Sequence, residues 1–141
     1  MIISEKELGA MSSLAMAHMG DAVYELLVRT MLCRTGKLTA GQLHRETVRF
    51  VAAPAQAEAA KKLLLRLTPE ESGVFRRARN AHGHTSPKGA SPGEYHAASA
   101  LEALFGWLYL REEYERIQEL FAIIMEDENA AGRDRTDGAA P

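Results

Sequence analysis

Apolar residues recur at spacings of three and four along most of the chain, and no stretch alternates with the period of two that a half-buried strand requires. The pattern predicts an all-α protein. A short helix is expected over residues 4–10. A long one follows from about Ser13 to Thr35, with Ser12 or Ser13 as N-cap and Gly36 as its stop. Thr39 caps a third, which runs to about Val51 and is ended by Pro54. A fourth, alanine-rich and then Lys61-Lys62-Leu63-Leu64-Leu65, covers 54–66. Thr68-Pro69-Glu70-Glu71 and Ser91-Pro92-Gly93-Glu94 share one grammar: a hydroxyl cap, proline at the first helical position and glutamate at the third. The first opens a helix carrying Arg76, Arg77 and Arg79, which gives way near Asn80 to a Gly/Pro/Ser loop over 81–91. The second opens a helix that runs to about Leu110. A last amphipathic helix is expected over 112–128, with Ile117, Leu120, Phe121 and Ile124 on one face. Residues 129–141 are polar and poor in apolar side chains, and read as a disordered tail. Residues 1–128 thus form one domain of six to seven helices.

Two segments break the pattern in the same way. His18-Met19-Gly20-Asp21-Ala22-Val23-Tyr24-Glu25 and Ala100-Leu101-Glu102-Ala103-Leu104-Phe105-Gly106 each hold an acid amid apolar helical residues, with a glycine one or four positions away. A carboxylate on a core-facing helix is costly to bury unless a metal, a cation or hydrogen bonds compensate it. Glycine within a helix costs up to about 1 kcal/mol relative to alanine. One explanation covers both: the glycines let two helices approach closely, and the approach brings Asp21 and Glu102 to a shared divalent cation. The plainer alternative pairs Asp21 with Arg29 or a backbone N–H and leaves Glu102 at a helix rim. Hard carboxylate oxygens suit Mg²⁺, which is usually held by one or two carboxylates plus substrate phosphate. No Cys/His cluster suggests zinc, and no glycine-rich phosphate loop is present.

Length and composition leave that reading intact. At 141 residues, 46% hydrophobic and 26% charged, the chain is an ordinary globular domain with enough material for a core. A net charge of −2 argues against nucleic-acid binding by bulk charge, though not against a local basic patch. The best such patch is Arg76, Arg77, Arg79, Asn80, His82, His84 and Lys88, whose simpler explanation is a solvated helix end complementing the dipole. Lys37, His44, Arg45 and Arg49 form a weaker cluster. The lone Cys33 is expected to be a small packed side chain, and a reducing context follows. With no apolar run of membrane-spanning length and no signal-peptide pattern at the N-terminus, a cytoplasmic location is expected and no membrane partner.

The two acidic segments resemble the motifs of the ribonuclease III domain family. Gly20-Asp21-Ala22-Val23-Tyr24-Glu25 is similar to its signature helix, and Leu101-Glu102-Ala103-Leu104-Phe105-Gly106 to its second carboxylate motif, in matching order and separation over about residues 10–126. The short length, Arg79-Asn80 and the Thr85-Ser86-Pro87-Lys88 loop resemble the Mini-ribonuclease III branch, which lacks a double-stranded-RNA-binding domain. The resemblance implies a homodimeric, Mg²⁺-dependent endoribonuclease acting on double-stranded RNA, with Mn²⁺ able to substitute. For that branch it implies maturation of the 23S ribosomal RNA precursor. Asp21 and Glu102 inherit the catalytic, metal-ligand role. Two departures stand out: Ala17 and Ser99 occupy positions where full-length members usually carry further acids, which leaves one or two metals per site open. Glu25 is expected to be structural. A non-catalytic RNA- or ribosome-binding module is the alternative, and a helical protein-interaction domain a third. A ribosomal protein presenting the substrate is a further open point.

Overall fold

The structure, a computed structural model, describes residues 2–81 and 91–137, with side chains described to Glu126. Among these, seven helices and no strand are present: α1 (Glu5–Ala10), α2 (Ser13–Cys33), α3 (Ala40–Val51), α4 (Ala53–Leu63), α5 (Pro69–Asn80), α6 (Pro92–Leu110) and α7 (Tyr114–Asp137). The fold is all-α, as the apolar periodicity predicts.

The capping grammar acts where the sequence places it. The Thr68 and Ser91 hydroxyls each accept a hydrogen bond from the backbone N–H of the third helical residue, while the Glu71 and Glu94 carboxylates accept one from the backbone N–H of the cap. The same reciprocal boxes close α1 through Ser4 and Glu7 and α3 through Thr39 and Gln42, two that the sequence reading had not singled out. Ser12 caps α2. Gly36 takes a left-handed φ of 65°, but regular α-helix ends at Cys33 and the Thr35 and Gly36 N–H groups bond back to the Leu32 and Cys33 carbonyls. Helix α4 stops at Leu63, short of the expected 66. Helix α7 runs past 128 to Asp137, because Ala130-Ala131 favour helix and only Gly132 opposes it. Residues 138–141 and the 82–90 segment lie outside the described residues.

Helix α6 is the axis of the domain. Between Ala98 and Leu110 every side chain is buried except Glu102 and Tyr109, as expected of a helix apolar on all sides. Helices α2, α4 and α5 pack around it, with α3 against α2 and α4. The small side chains Ala57, Ala59 and Ala60 of α4 are buried against this centre. Helix α7 lays down Ile117, Leu120, Phe121 and Ile124 as its apolar face shows. It is also clamped electrostatically. Arg116 grips the buried Glu71 bidentately at 2.8 and 2.9 Å and donates to the Arg66 carbonyl at 2.8 Å. Burial pushes the Glu71 carboxyl up, but the bonds from Arg116 and Thr68 outweigh it and leave it below its ordinary value.

Cys33 contradicts its expected packing: it is exposed, because the last residue of α2 turns outward while its neighbour Leu32 fills the core.

The tightest contact is the crossing of α2 and α6. A side chain at Gly20 would overlap the backbone carbonyl of Glu102 and come within 2.9 Å of its Cα. One at Gly106 would overlap the Met16 carbonyl and lie 2.8 Å from the Gly20 nitrogen. The obstacles are backbone, so no rotamer change relieves them. Gly20 faces Glu102 and Met16 faces Gly106, so the two helices run antiparallel. Gly20→Ala or Gly106→Ala should therefore destabilise the domain by about 3–5 kcal/mol, despite alanine's better helix propensity, with the loss read from thermal or urea unfolding.

Candidate active site

The crossing that demands glycine is also what builds the site. Gly20 sits directly against the main chain of Glu102, and Asp21 is the next residue along α2. Asp21 is exposed and Glu102 half-buried, and their carboxyls meet within hydrogen-bonding reach. The sequence-based expectation that these two acids converge is met. Loss of solvent around Glu102, then the Asp21 charge and the hydrogen bond between the two, pushes the Glu102 carboxyl up to about 8. At neutral pH the pair therefore holds a proton that an isolated glutamate would have released.

Tyr24 forms the floor. Its ring is buried and meets Phe105 and Phe121 edge-to-face, and burial together with the nearby Glu102 charge pushes its hydroxyl well above the ordinary phenol value. Tyr24 belongs to the signature motif, and its place one turn after Asp21 is the sequence signal for its position here.

The neighbouring polar groups fall outside the pair. Arg29 bonds Glu25 at 3.1 Å, so the plainer pairing of Arg29 with Asp21 is not what forms, and Glu25 is spent in a surface bridge. His18 is exposed one turn before Asp21. Ala17 and Ser99, at the positions where further acids were considered, add no carboxylate. Among the described residues no group of three or more His, Cys, Asp or Glu is arranged to hold a metal ion.

The donor set still fits one hard divalent cation. Two acids held together, Glu102 desolvated by burial and beside the charge of Asp21, concentrate negative charge on ionisation that a cation relieves. A Mg²⁺-type ion asks no more of the protein when waters and phosphate oxygens complete its shell.

The expected basic patch is split by the structure. Arg76, Arg77, Arg79 and Asn80 are all exposed on α5. Arg79 borders a groove of about 380 Å³ with Ala57 and Lys61 of α4 and Gly93 and Glu94 of α6. Arg77 turns the other way, into a cavity of about 610 Å³ beside Glu5, Glu70, Trp107 and Arg111. On a helix, residues two apart point to different faces, which sequence proximity conceals. His82, His84 and Lys88 lie outside the described residues. In the weaker cluster, Arg49 is engaged by Glu46 at 3.4 Å and lies over the Phe50 ring, an ordinary surface arrangement.

The sequence pattern of the ribonuclease III domain matches residues 14–113, a span that contains both acids and both close-approach glycines. The chain belongs to the ribonuclease III domain family. It is 46% identical to Mini-ribonuclease 3 of Symbiobacterium thermophilum over 76% of this chain and 82% of that protein. It is 38% identical to Mini-ribonuclease 3 of a Thermoanaerobacter species over 86% of each. A crystal structure of a Fusobacterium nucleatum protein superimposes with a TM-score of 0.78 at 30% identity, covering 84% of this chain and 95% of that one. The chain is accordingly an endoribonuclease of the ribonuclease III type, a family generally dependent on a divalent metal. Among the described residues no helix is long and apolar enough to cross a membrane.

The proton held by the acid pair gives a test of its geometry without metal. A carboxyl raised from 4.5 to about 8 favours folding below pH 4.5, and that contribution is lost progressively as pH rises through about 8. Metal-free protein should lose thermal stability across this window. Glu102→Gln should flatten the loss and melt higher at pH 8.5, by about 4 °C for each ~1 kcal/mol of repulsion removed.

Proposed function

We propose that this ribonuclease III-type enzyme is a Mg²⁺-dependent homodimer that cuts double-stranded RNA and matures the 23S ribosomal RNA precursor in the cytoplasm, with Mn²⁺ able to replace Mg²⁺. The observation that carries this reading is the convergence of Asp21 and Glu102 across the glycine crossing. The relatives named Mini-ribonuclease 3 support the choice of branch, and through the resemblance the ribosomal RNA substrate.

When bound, a divalent cation supplies positive charge opposite the charge that develops on a phosphodiester in hydrolysis. The chain's own residues prepare for that. Asp21 offers an exposed carboxylate from α2, and Glu102 a partly desolvated one from the most buried helix of the fold. Fixed backbone on both sides keeps the oxygens from drifting apart, since α2 and α6 are in direct main-chain contact at this level. Arg76, Arg79 and Asn80 are the described residues that would meet RNA phosphates, and Arg77 meets them only from the other side of α5. His84 and Lys88, outside the described residues, are proposed as RNA contacts with them.

Dimer formation is supported by the outer face of α2. Ala15, Ala22 and Leu26 are exposed there at helical spacing, with Met19 beside them, and Leu26 is 64% exposed. An apolar stripe next to the acid pair suits a symmetric contact, and two equivalent sites match the two strands of a duplex. Ala17 and Ser99, which supply no further acids, are what the alternative of a non-catalytic RNA- or ribosome-binding module would rest on.

One assay separates the two. Wild-type protein with Mg²⁺ should cut duplex precursor RNA, and chelation should stop it. Asp21→Asn should lower cleavage by about 10³-fold, or ~4 kcal/mol of transition-state stabilisation, with fold and dimer retained. RNA binding without cleavage by the wild type would establish the second reading. Leu26→Glu should shift sedimentation from dimer to monomer; an unchanged dimer would place the contact elsewhere.

A further inference from the structure

A cavity of about 610 Å³ opens where α1 and the first turn of α2 face α5 and the end of α6. Its floor is apolar, with Leu8, Met16 and Trp107 all buried. The glycine crossing fixes where it lies. Met16 packs on Gly106 just as Gly20 packs on Glu102, one helical turn or about 6 Å further along α2. The floor of the cavity thus begins one turn from the level of the acid pair. Its charged groups are not equivalent. Arg111 lies over the Trp107 ring at 4.6 Å, bonds Glu113 at 3.0 Å and reaches Glu70 at 3.4 Å, so its charge and that of Glu70 are satisfied. Arg77 forms no hydrogen bond or ion pair among the described residues. It is nonetheless seated. One end of its guanidinium lies 3.3 Å from where a side chain on Gly73 would begin, closer than most such contacts. Glycine inside a helix costs up to about 1 kcal/mol relative to alanine; here its bare surface makes room for an arginine. The Ser13 hydroxyl, also on the lining, has no partner among the described residues either. Glu5 is exposed on the α1 side, so an anion is received on the α5 side of the opening.

We propose that this cavity is a phosphate subsite of the nuclease, in which Arg77, seated over Gly73, and the Ser13 hydroxyl hold a backbone phosphate of the RNA strand a few nucleotides from the one at the acid pair. An unpaired guanidinium presents a planar fork of donors that matches two phosphate oxygens. An RNA strand carries such phosphates at regular intervals on either side of the bond to be cut. The Arg111 guanidinium walls the cavity and stays in place, because Trp107, Glu113 and Glu70 all hold it. The subsite rests on the duplex-RNA reading above and extends it to what fixes the register of the strand. A contact made equally before and during the cut strengthens binding without speeding the chemistry, so Arg77 acts on KM and not on kcat.

Binding of duplex precursor RNA to the full chain, followed by fluorescence anisotropy in EDTA across a salt series, reads the subsite without metal or cleavage. Arg77→Ala should bind about tenfold more weakly, with the slope of log affinity against log salt reduced by about one. Arg77→Gln, which keeps the stem over Gly73, should do the same. With Mg²⁺ restored, both variants should show a raised KM and an unchanged kcat. RNA carrying a neutral methylphosphonate at each backbone position in turn should contain one position whose neutralisation weakens the wild type but not Arg77→Ala. Wild-type affinity and salt slope in both variants would overturn the subsite, even if inorganic phosphate bound at Arg77. Equal sensitivity of wild type and Arg77→Ala at every backbone position would overturn it too. A wild type that binds no duplex RNA would remove the duplex-RNA reading itself.

Discussion

The domain is organised by one steric constraint: α2 and α6 touch main chain to main chain, and they do so only because positions 20 and 106 have no Cβ. Every other packing relation is arranged around that contact. Helix α6 becomes buried on all sides because α2 lies so close on one flank that α4 and α5 can cover the others. The alanines of α4 serve the same closeness on the opposite flank. Removing helix-interior glycine would improve local propensity, so its presence at the crossing reflects tertiary geometry overriding a local preference.

That geometry places two like charges together, which no stability argument favours. Glu102 is the sole acid in the most buried run of the chain, and its neighbour across the crossing is another acid. The fold contains a clear contrast. Glu71 is also buried, but Arg116 satisfies it bidentately and it stays ionised. Glu71 is a structural acid with its counter-charge built in. Among the described residues no ion pair to Asp21 or Glu102 is formed, and burial beside the Asp21 charge favours the protonated form of Glu102. A group left electrostatically incomplete by an otherwise consistent fold marks a functional site.

Much of this was legible in the residues. The helix starts were, because Thr68, Ser91 and Ser12 cap by chemistry that depends on only four consecutive positions. The acid pair was, because acid-beside-glycine in an apolar helix has few explanations and occurred twice. What was not legible depended on distance across the fold. Cys33 and Leu32 are adjacent, yet only Leu32 joins the core and Cys33 is exposed. Arg77 and Arg79 look like one patch in sequence and face different cavities in space. Tyr24 had no role in the sequence until Phe105, Phe121 and Glu102, 78 to 97 positions further along the chain, converged on it. Local rules read caps and periods well, whereas the environment of a side chain is a property of the assembled helices.

The central claim is that the glycine crossing makes Asp21 and Glu102 a single cation-binding unit. Anomalous diffraction from crystals grown with Mn²⁺ tests it most directly. The account predicts one strong peak between the two carboxyls, with an oxygen of each about 2.0–2.2 Å away. A peak bound to one of them alone, or Mn²⁺ found only elsewhere on the molecule, would contradict it.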